Sequence, residues 1–278
     1  MRSYFFGDIH GNLDALEACL KHMDALKPDA VYCLGDIVGW LPFGDRSLAR
    51  MKSLGVDTVA GNHDLMVAGL FTDHITQIDR MQATAYNAGL LSSVPDAADY
   101  LQGLPLILER NEFVLTHHSP FHLPREQGTV TIDCFNYLDD AALGECLEQW
   151  NAFPRSLIFS GHDHVPAVFE LPPGLERPAV ADVVVHRPPL EGSLTVQLGP
   201  ESKYWIKAGS VGGPYRDGLP TANSVLFDSE RKTVSLFRVP YPSGNLLREL
   251  SANRFCRNLP TIRRYMELLA QGEKERRG

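Results

Sequence analysis

Five short blocks of the sequence carry side chains suited to binding metals or moving protons. They are Gly7-Asp8-Ile9-His10-Gly11-Asn12, Gly35-Asp36, Gly61-Asn62-His63-Asp64, His117-His118-Ser119-Pro120 and Gly161-His162-Asp163-His164. Their Asp, Asn and His side chains form an oxygen and nitrogen donor set without sulfur. Such a set suits Mn, Fe, Zn, Co or Ni and disfavours Cu(I) and iron–sulfur clusters. Asp8 and His10 are two residues apart, as are His162 and His164. At that spacing in an extended chain side chains face the same way, so each pair can grip one ion. The donors exceed the needs of one metal. Two ions about 3.5–4 Å apart need a shared carboxylate, and Asp36 is the natural bridge. A lone Gly-Asp or Gly-His is usually a turn signal; the recurrence of such blocks is what points to a site.

Each block directly follows a predicted strand. Tyr4-Phe5-Phe6 precedes the first, Val31-Tyr32-Cys33-Leu34 the second and Val56 to Ala60 the third; Phe113 to Thr116 and Leu157 to Ser160 precede the last two. Between the first two strands, Leu13, Leu16, Leu20 and Met23 recur at helical spacing, with Asn12 as N-cap and Pro28 as stop. A second helix is expected from near Asp45 to about Lys52. This order predicts parallel strands joined by crossover helices. Residues just past the strand ends of such a sheet converge on one edge, where ligands bind.

Residues from about 63 to 92 read as mostly helical, with Pro95 and Pro105 as breakers. After Gly161, Pro and Gly become frequent and helical periodicity ceases. Short runs at Val183–Val185, Tyr204–Ile206, Val225–Phe227 and Val234–Phe237 predict an antiparallel half. A basic helical segment follows from about Leu246, bearing Arg248, Arg254, Arg257, Arg263, Arg264, Lys274, Arg276 and Arg277, which reads as the solvated face of a packing helix. No linker-like stretch separates the halves. The expected organisation is one domain over residues 1–245 with a helical tail at 246–278 packed on it.

The 278 residues are 44% hydrophobic, enough for a sizeable core, and their 22% charged share does not read as disorder. A formal charge of −8 argues against a generic nucleic-acid binder, since phosphate contacts are made by Lys and Arg. Bound divalent metals would supply local positive charge for an anionic substrate. Cys19, Cys33, Cys134, Cys146 and Cys256 are scattered without C-x-x-C spacing, which argues against a disulfide framework or a Cys-type zinc site. The chain has no apolar run of signal-peptide or membrane-span length, so a cytoplasmic protein without a membrane partner is expected. Nothing in the sequence specifies an oligomeric state.

In their order, the blocks resemble the D-x-H, G-D, G-N-H-[DE], H and G-H-x-H signature of the calcineurin-like metallophosphoesterase superfamily, matched from Asp8 to His164. Gly209-Ser210-Val211-Gly212, Pro214 and Arg216-Asp217-Gly218 resemble the G-S-V-G-Q-P-R-D-G segment of its bacterial and archaeal phosphodiesterase branch. Gly213 stands in place of the Gln, and Tyr215 is an extra residue before Arg216. The resemblance covers about residues 3–238. It implies a four-layer α/β-β/α sandwich, two mixed sheets packed face to face with flanking helices. It also implies one metal held by Asp8, His10, Asp36 and His164, and a second held by Asp36, Asn62, His117 and His162. A hydroxide bridging both ions would attack phosphorus, and His63 would give a proton to the leaving oxygen, with Asp64 orienting and charge-stabilising His63.

The fourth block departs from the usual H-G-S-P or H-G-H. His117, directly after its strand, is taken as the ligand; His118 either contacts substrate or is an ordinary loop histidine. No Arg follows the second block in Ile37-Val38-Gly39-Trp40, and the third ends in Asp64 rather than Glu. Both points favour the phosphodiesterase-like branch over protein phosphatases and dinucleoside tetraphosphatases. The expected function is therefore a metal-dependent phosphodiesterase acting on a small phosphate-ester or nucleotide-type substrate. The alternatives are a phosphomonoesterase or protein phosphatase on the same metals, and a non-catalytic scaffold, which would show eroded blocks. Arg216 is a phosphate-binding candidate, since guanidinium suits phosphate geometry. Trp40 and Phe43 either stack on a base or pack their loop. His22 and His74 read as ordinary helix residues, and His122 and His186 as loop residues.

Overall fold

A computed structural model describes residues 1–71, 73, 75–124 and 130–277. His74 lies outside the described residues. In chain order the elements begin with β1 (Arg2–Phe6), α1 (Leu13–Leu26), β2 (Ala30–Cys33), α2 (Gly44–Leu54), β3 (Asp57–Thr58), α3 (Asn62–Val67), α4 (Ile78–Leu91) and α5 (Ala97–Gln102). Next come β4 (Ile107–Glu109), β5 (Phe113–Thr116), α6 (Asp140–Ala152), β6 (Leu157–Ser160), β7 (Ala167–Leu171), β8 (Val184–His186) and β9 (Ser193–Gln197). The chain finishes with β10 (Lys203–Lys207), β11 (Thr221–Asp228), β12 (Thr233–Pro240), α7 (Gly244–Ala252), α8 (Arg254–Arg257) and α9 (Pro260–Arg277).

The strands form two six-stranded sheets, in the orders β3-β2-β1-β11-β12-β9 and β4-β5-β6-β10-β7-β8. β1, β2 and β3 run parallel, as the crossover helices require. β5, β6 and β10 are also parallel, and the remaining pairs are antiparallel. The later half of the chain is thus not a sheet of its own. It supplies antiparallel strands to both sheets, and β10 runs parallel to β6.

Period-two alternation sorts the side chains into layers. Tyr4 and Phe6 face the core shared with α1 and α2, whereas Phe5 enters the core between the sheets. There its ring stacks on Phe159 of β6 with centroids 3.9 Å apart. Ile158 and Trp205 point the other way, onto Trp150 and Leu147 of α6. Helix, sheet, sheet and helix therefore enclose successive apolar cores, an α/β sandwich of two mixed sheets. From the tail, Leu246, Leu250, Cys256, Ile262, Tyr265 and Leu269 are buried in the first of these cores, while Arg248, Arg263 and Arg264 are exposed.

Two elements differ from expectation. The third strand is only Asp57–Thr58; beyond it Val59 N–H still donates to Cys33 O at 3.1 Å, and Ala60 N–H, facing the other way, donates to Pro105 O at 2.8 Å. The helical stretch expected over 63–92 is two helices, α3 and α4, with no helix assigned to the described residues between them.

Candidate metal centre and active site

The five blocks meet at one edge of the sandwich. Asp8 and His10 follow β1, Asp36 follows β2, Asn62 opens α3, His117 follows β5, and His162 and His164 follow β6. All seven are buried. Five of them, Asp8, His10, Asp36, His162 and His164, hold φ between 52° and 69°. Non-glycine residues rarely adopt this left-handed region, at a cost of about 1–3 kcal/mol each. Two glycines make the approach possible. A Cβ on Gly61 would lie 2.1 Å from Asp36 Oδ1, and one on Gly161 would lie 2.3 Å from Asp8 Oδ2. The glycine that opens one block is thus the seat for the carboxylate of another.

Ligand atoms of Asp8, His10, Asp36 and His164 all lie within 4.8 Å of one another. His164 Nε2 is 3.1 Å from Asp8 Oδ1 and 3.2 Å from His10 Nε2. Beside them, Asn62 Oδ1 is 2.9 Å from His162 Nδ1 and 3.1 Å from His117 Nε2. Asp36 Oδ2 lies between the two groups, 3.4 Å from His10 Nε2 and 3.3 Å from His117 Nε2.

The outer ring nitrogens show which way the lone pairs point. His117 Nδ1 donates to Leu34 O at 2.6 Å, His162 Nε2 to Phe135 O at 2.7 Å and His164 Nδ1 to Pro214 O at 2.8 Å. A carbonyl can only accept, so the opposite nitrogen of each neutral ring presents a lone pair inward. Inward lone pairs of three imidazoles, two carboxylates and an amide oxygen repel one another unless cations lie among them. The donor chemistry therefore fits metal ions, with the backbone carbonyls as orienting partners.

The ionisation pattern agrees. Burial holds His10 and His162 well below the usual histidine range. Burial pushes Asp36 up, but His117, His63 and His10 together hold it well below the carboxylate range. Burial lowers His117 as well, yet Asp36, Asp8 and the Leu34 carbonyl raise it to about 9.

His63 lines the cleft over the cluster, its ring 4.8 Å from that of His10. Burial lowers it to about 4, against the pull of Asp36 and with a further push from Arg80. Its backbone N–H donates to Asp36 Oδ1 at 2.8 Å, while its Nδ1 has no hydrogen-bond partner among the described residues. Asp64 does not orient this ring directly, contrary to expectation. Its Oδ1 accepts from Ile37 N at 2.9 Å and Val38 N at 3.2 Å, and its Oδ2 from Gly61 N at 3.0 Å. Consecutive residues on a helix face different ways, so the two side chains diverge.

His118 also corrects an expectation. It is fully buried, it does not line the cleft, and its ring packs 5.1 Å from His162 and 5.8 Å from His122. The residue after a ligand in extended chain points to the opposite side. Arg216 does line the cleft, where it donates to Tyr137 Oη and carries its guanidinium 3.8 Å from the Tyr137 ring centroid. Trp40 lines the cleft with its ring edge-on to Tyr265, whereas Phe43 is core packing.

Three cleft features escaped the sequence. Arg80, on the first turn of α4, and Tyr137, stacked 5.1 Å from His162, both line the 250 Å³ cleft. Neither sits in a strand-end block, so no local signal marks them. The third is a buttress under the first block. Asn12 Nδ2 donates to Tyr265 Oη at 2.9 Å, Tyr241 Oη at 3.0 Å and Gly212 O at 3.3 Å. Gly212 N–H in turn donates to Asp8 O at 2.8 Å.

Fold and donor set together define a metal-dependent hydrolase site on an α/β sandwich. The family model of the calcineurin-like phosphoesterases matches residues 1–166, and the chain belongs to that family. It is accordingly a hydrolase of phosphoester bonds. An uncharacterized protein of Methanocaldococcus jannaschii is 28% identical over 254 residues, 89% of this chain and 90% of that protein. A symmetrical bis(5'-nucleosyl)-tetraphosphatase of Vibrio cholerae is 34% identical over 123 residues, but the match spans only 42% of this chain and 44% of that enzyme. Among solved structures, a metallophosphoesterase from Sphaerobacter thermophilus gives a TM-score of 0.72 at 27% identity, covering 98% of this chain and all of that one (100%). A hypothetical protein from Pyrococcus horikoshii shares the fold, with a TM-score of 0.63 at 17% identity and 96% and 97% coverage. No helix among the described residues is long and apolar enough to cross a membrane.

Proposed function

We propose that this chain is a phosphodiesterase that hydrolyses a small, nucleotide-type phosphate ester, with His63 as general acid. The observation that carries the reading is the inward convergence of imidazole lone pairs on both sides of Asp36 Oδ2. Asp8, His10, Asp36 and His164 would hold one ion, and Asp36, Asn62, His117 and His162 the second. The ions, when bound, supply Lewis acidity: they draw charge from phosphate oxygens and make water acidic at neutral pH.

The rest is done by the chain. The inward faces of the ligand blocks fix where a phosphate sits. His63, above the cluster, faces the leaving oxygen and hands it a proton, a role typically worth about 10²–10⁴-fold in rate. Burial holds the His63 ring below the usual histidine range in the free chain. Asp64 grips the Ile37–Val38 backbone and so holds the loop against which His63 rests. The buried tail residue Tyr265 braces the first block, which supports treating 246–278 as an integral extension of a 1–245 phosphoesterase domain. The five free, buried thiols suit a reducing compartment, in keeping with a cytoplasmic enzyme.

The test is hydrolysis of bis-p-nitrophenyl phosphate and p-nitrophenyl phosphate by purified protein, with Mn²⁺ and with EDTA, beside His63→Ala. Metal-dependent diester cleavage that collapses in the variant, at unchanged metal content, supports the reading. A clear preference for the monoester overturns the diester assignment.

A further inference from the structure

Asp163 stands between two proposed ligands, His162 and His164, yet it does not line the cleft. Its turn is tight: His162 and His164 hold φ at 69° and 62°, and Asp163 N–H donates to Gly161 O at 2.9 Å. The carboxylate turns into the protein instead. Its Oδ2 pairs at 2.5 Å with Nζ of Lys207, the last residue of β10, which is only 1% exposed. Among the described residues no other carboxylate pairs with Lys207.

The second oxygen of Asp163 reaches the residues that hold His162. Oδ1 accepts from Leu138 N–H at 3.0 Å. Just before Leu138, the Tyr137 ring stacks 5.1 Å from that of His162, and Phe135 O accepts from His162 Nε2 at 2.7 Å. On another side His118 packs 5.1 Å from His162, but neither of its ring nitrogens has a hydrogen-bond partner among the described residues. The outer edge of the His162 ring is therefore oriented by residues 135–138, which Asp163 fastens, and Lys207 fastens Asp163. His164 stands outside this chain of contacts, since its Nδ1 donates to Pro214 O at 2.8 Å. A buried ion pair is weak evidence for stability, because apolar side chains of similar volume often fill its place without loss. What they do not supply is a fixed acceptor for the Leu138 amide.

We propose that Lys207 and Asp163 form a positioning pair that sets the His162 ring, and through it the affinity of the ion held by Asp36, Asn62, His117 and His162. This rests on the metal-centre reading above. Outer partners of ligating histidines typically govern metal affinity by about 10–100-fold.

The experiment compares wild type with Lys207→Met/Asp163→Leu, which removes both charges together, and with Lys207→Met/Asp163→Asn, which keeps an oxygen for Leu138. The first readout needs no metal: nitrogen NMR spectra of the histidine rings in EDTA-treated protein report which nitrogen of His162 carries the proton. The second is calorimetric titration of the same proteins with Mn²⁺. Wild type is expected to carry the His162 proton on Nε2. The Leu variant should lose that preference and bind one Mn²⁺ about 100-fold more weakly and the other within about twofold of wild type, with the Asn variant between them at about 10-fold. A merely structural pair would lower the melting temperature of both variants and leave His162 as it is. Wild-type Mn²⁺ affinities in a folded variant, equal weakening of both ions, or an undisturbed His162 overturn the proposal; if the Leu variant does not fold, the same results in the Asn variant overturn it. If His162 loses its preference in the variants but wild type binds no Mn²⁺, the hold of the pair on His162 stands and the metal-centre reading falls.

Discussion

Gly39 lies directly against the imidazole of His63: a Cβ at Gly39 would meet His63 Cβ at 2.5 Å and Nδ1 at 2.6 Å. Gly39 also holds φ at +113°, where side chains are strained. The backbone of Ile37 and Val38, just before it, is held by Asp64. The His63 ring is therefore positioned by a glycine surface rather than by a hydrogen bond. Gly39→Ala is expected to destabilise the fold by about 1–3 kcal/mol and to displace His63. A displacement of about 1 Å at a reacting group can cost about 10²-fold in rate. The check is kcat and metal content on the purified variant. Wild-type kcat in a folded variant would show that His63 does not act on the leaving group from this position.

Asp36 predicts a different failure. Its Oδ1 receives the His63 amide and its Oδ2 lies between His10 and His117. Asp36→Asn keeps the shape and removes the charge. Whichever way the amide turns, an N–H₂ group faces either the His63 N–H or the inward lone pairs. Metal content by elemental analysis should fall to half or less of wild type, and the melting-temperature rise on adding Mn²⁺ to EDTA-stripped protein should shrink. For wild type, ligand at about 100 Kd stabilises by about 2.7 kcal/mol. Full metal content in the variant sinks the shared-ligand role.

Glu170 gives a pH prediction remote from the metals. Burial pushes its carboxyl up, but hydrogen bonds from His186, Tyr204 and Ser202 hold it below its ordinary value of 4.5. Tyr204 Oη donates to Oε1 at 3.0 Å, and His186 Nε2 lies 2.9 Å from Oε2. A depressed carboxyl contributes stability above its unfolded value, lost as pH falls through the folded one. Glu170→Gln should therefore melt below wild type at pH 6, and the gap should close as pH falls below 4.5 and through the lower folded-state value. A gap that persists or widens in acid would contradict this.

Much of the candidate site was legible because its donors stand in short blocks at strand ends. Asp8 and His10 stand in one group as their spacing suggests, but His162 joins Asn62 and His117 while His164 joins Asp8 and His10, because both hold left-handed rather than extended backbone. Helix α1 was equally readable, since Asn12 caps it through a bond to Ala15 N at 3.1 Å. The strand expected over Val56 to Ala60 is only Asp57–Thr58, because an apolar run does not reveal where its ladder with β2 ends.

The sequence by itself determined the Asp, Asn and His blocks and the parallel β-α-β start of the fold, because each follows from periodicity and turn chemistry within a few residues; the layered sandwich was implied only by the family resemblance. Only the tertiary structure decided that Asp64 grips the loop of the second block, that His118 turns away from the cleft, and that Arg80, Tyr137 and Arg216 wall it. Those relations join segments far apart in the chain. They are set by how helices and loops pack on the sheets, and such packing leaves no local pattern to read.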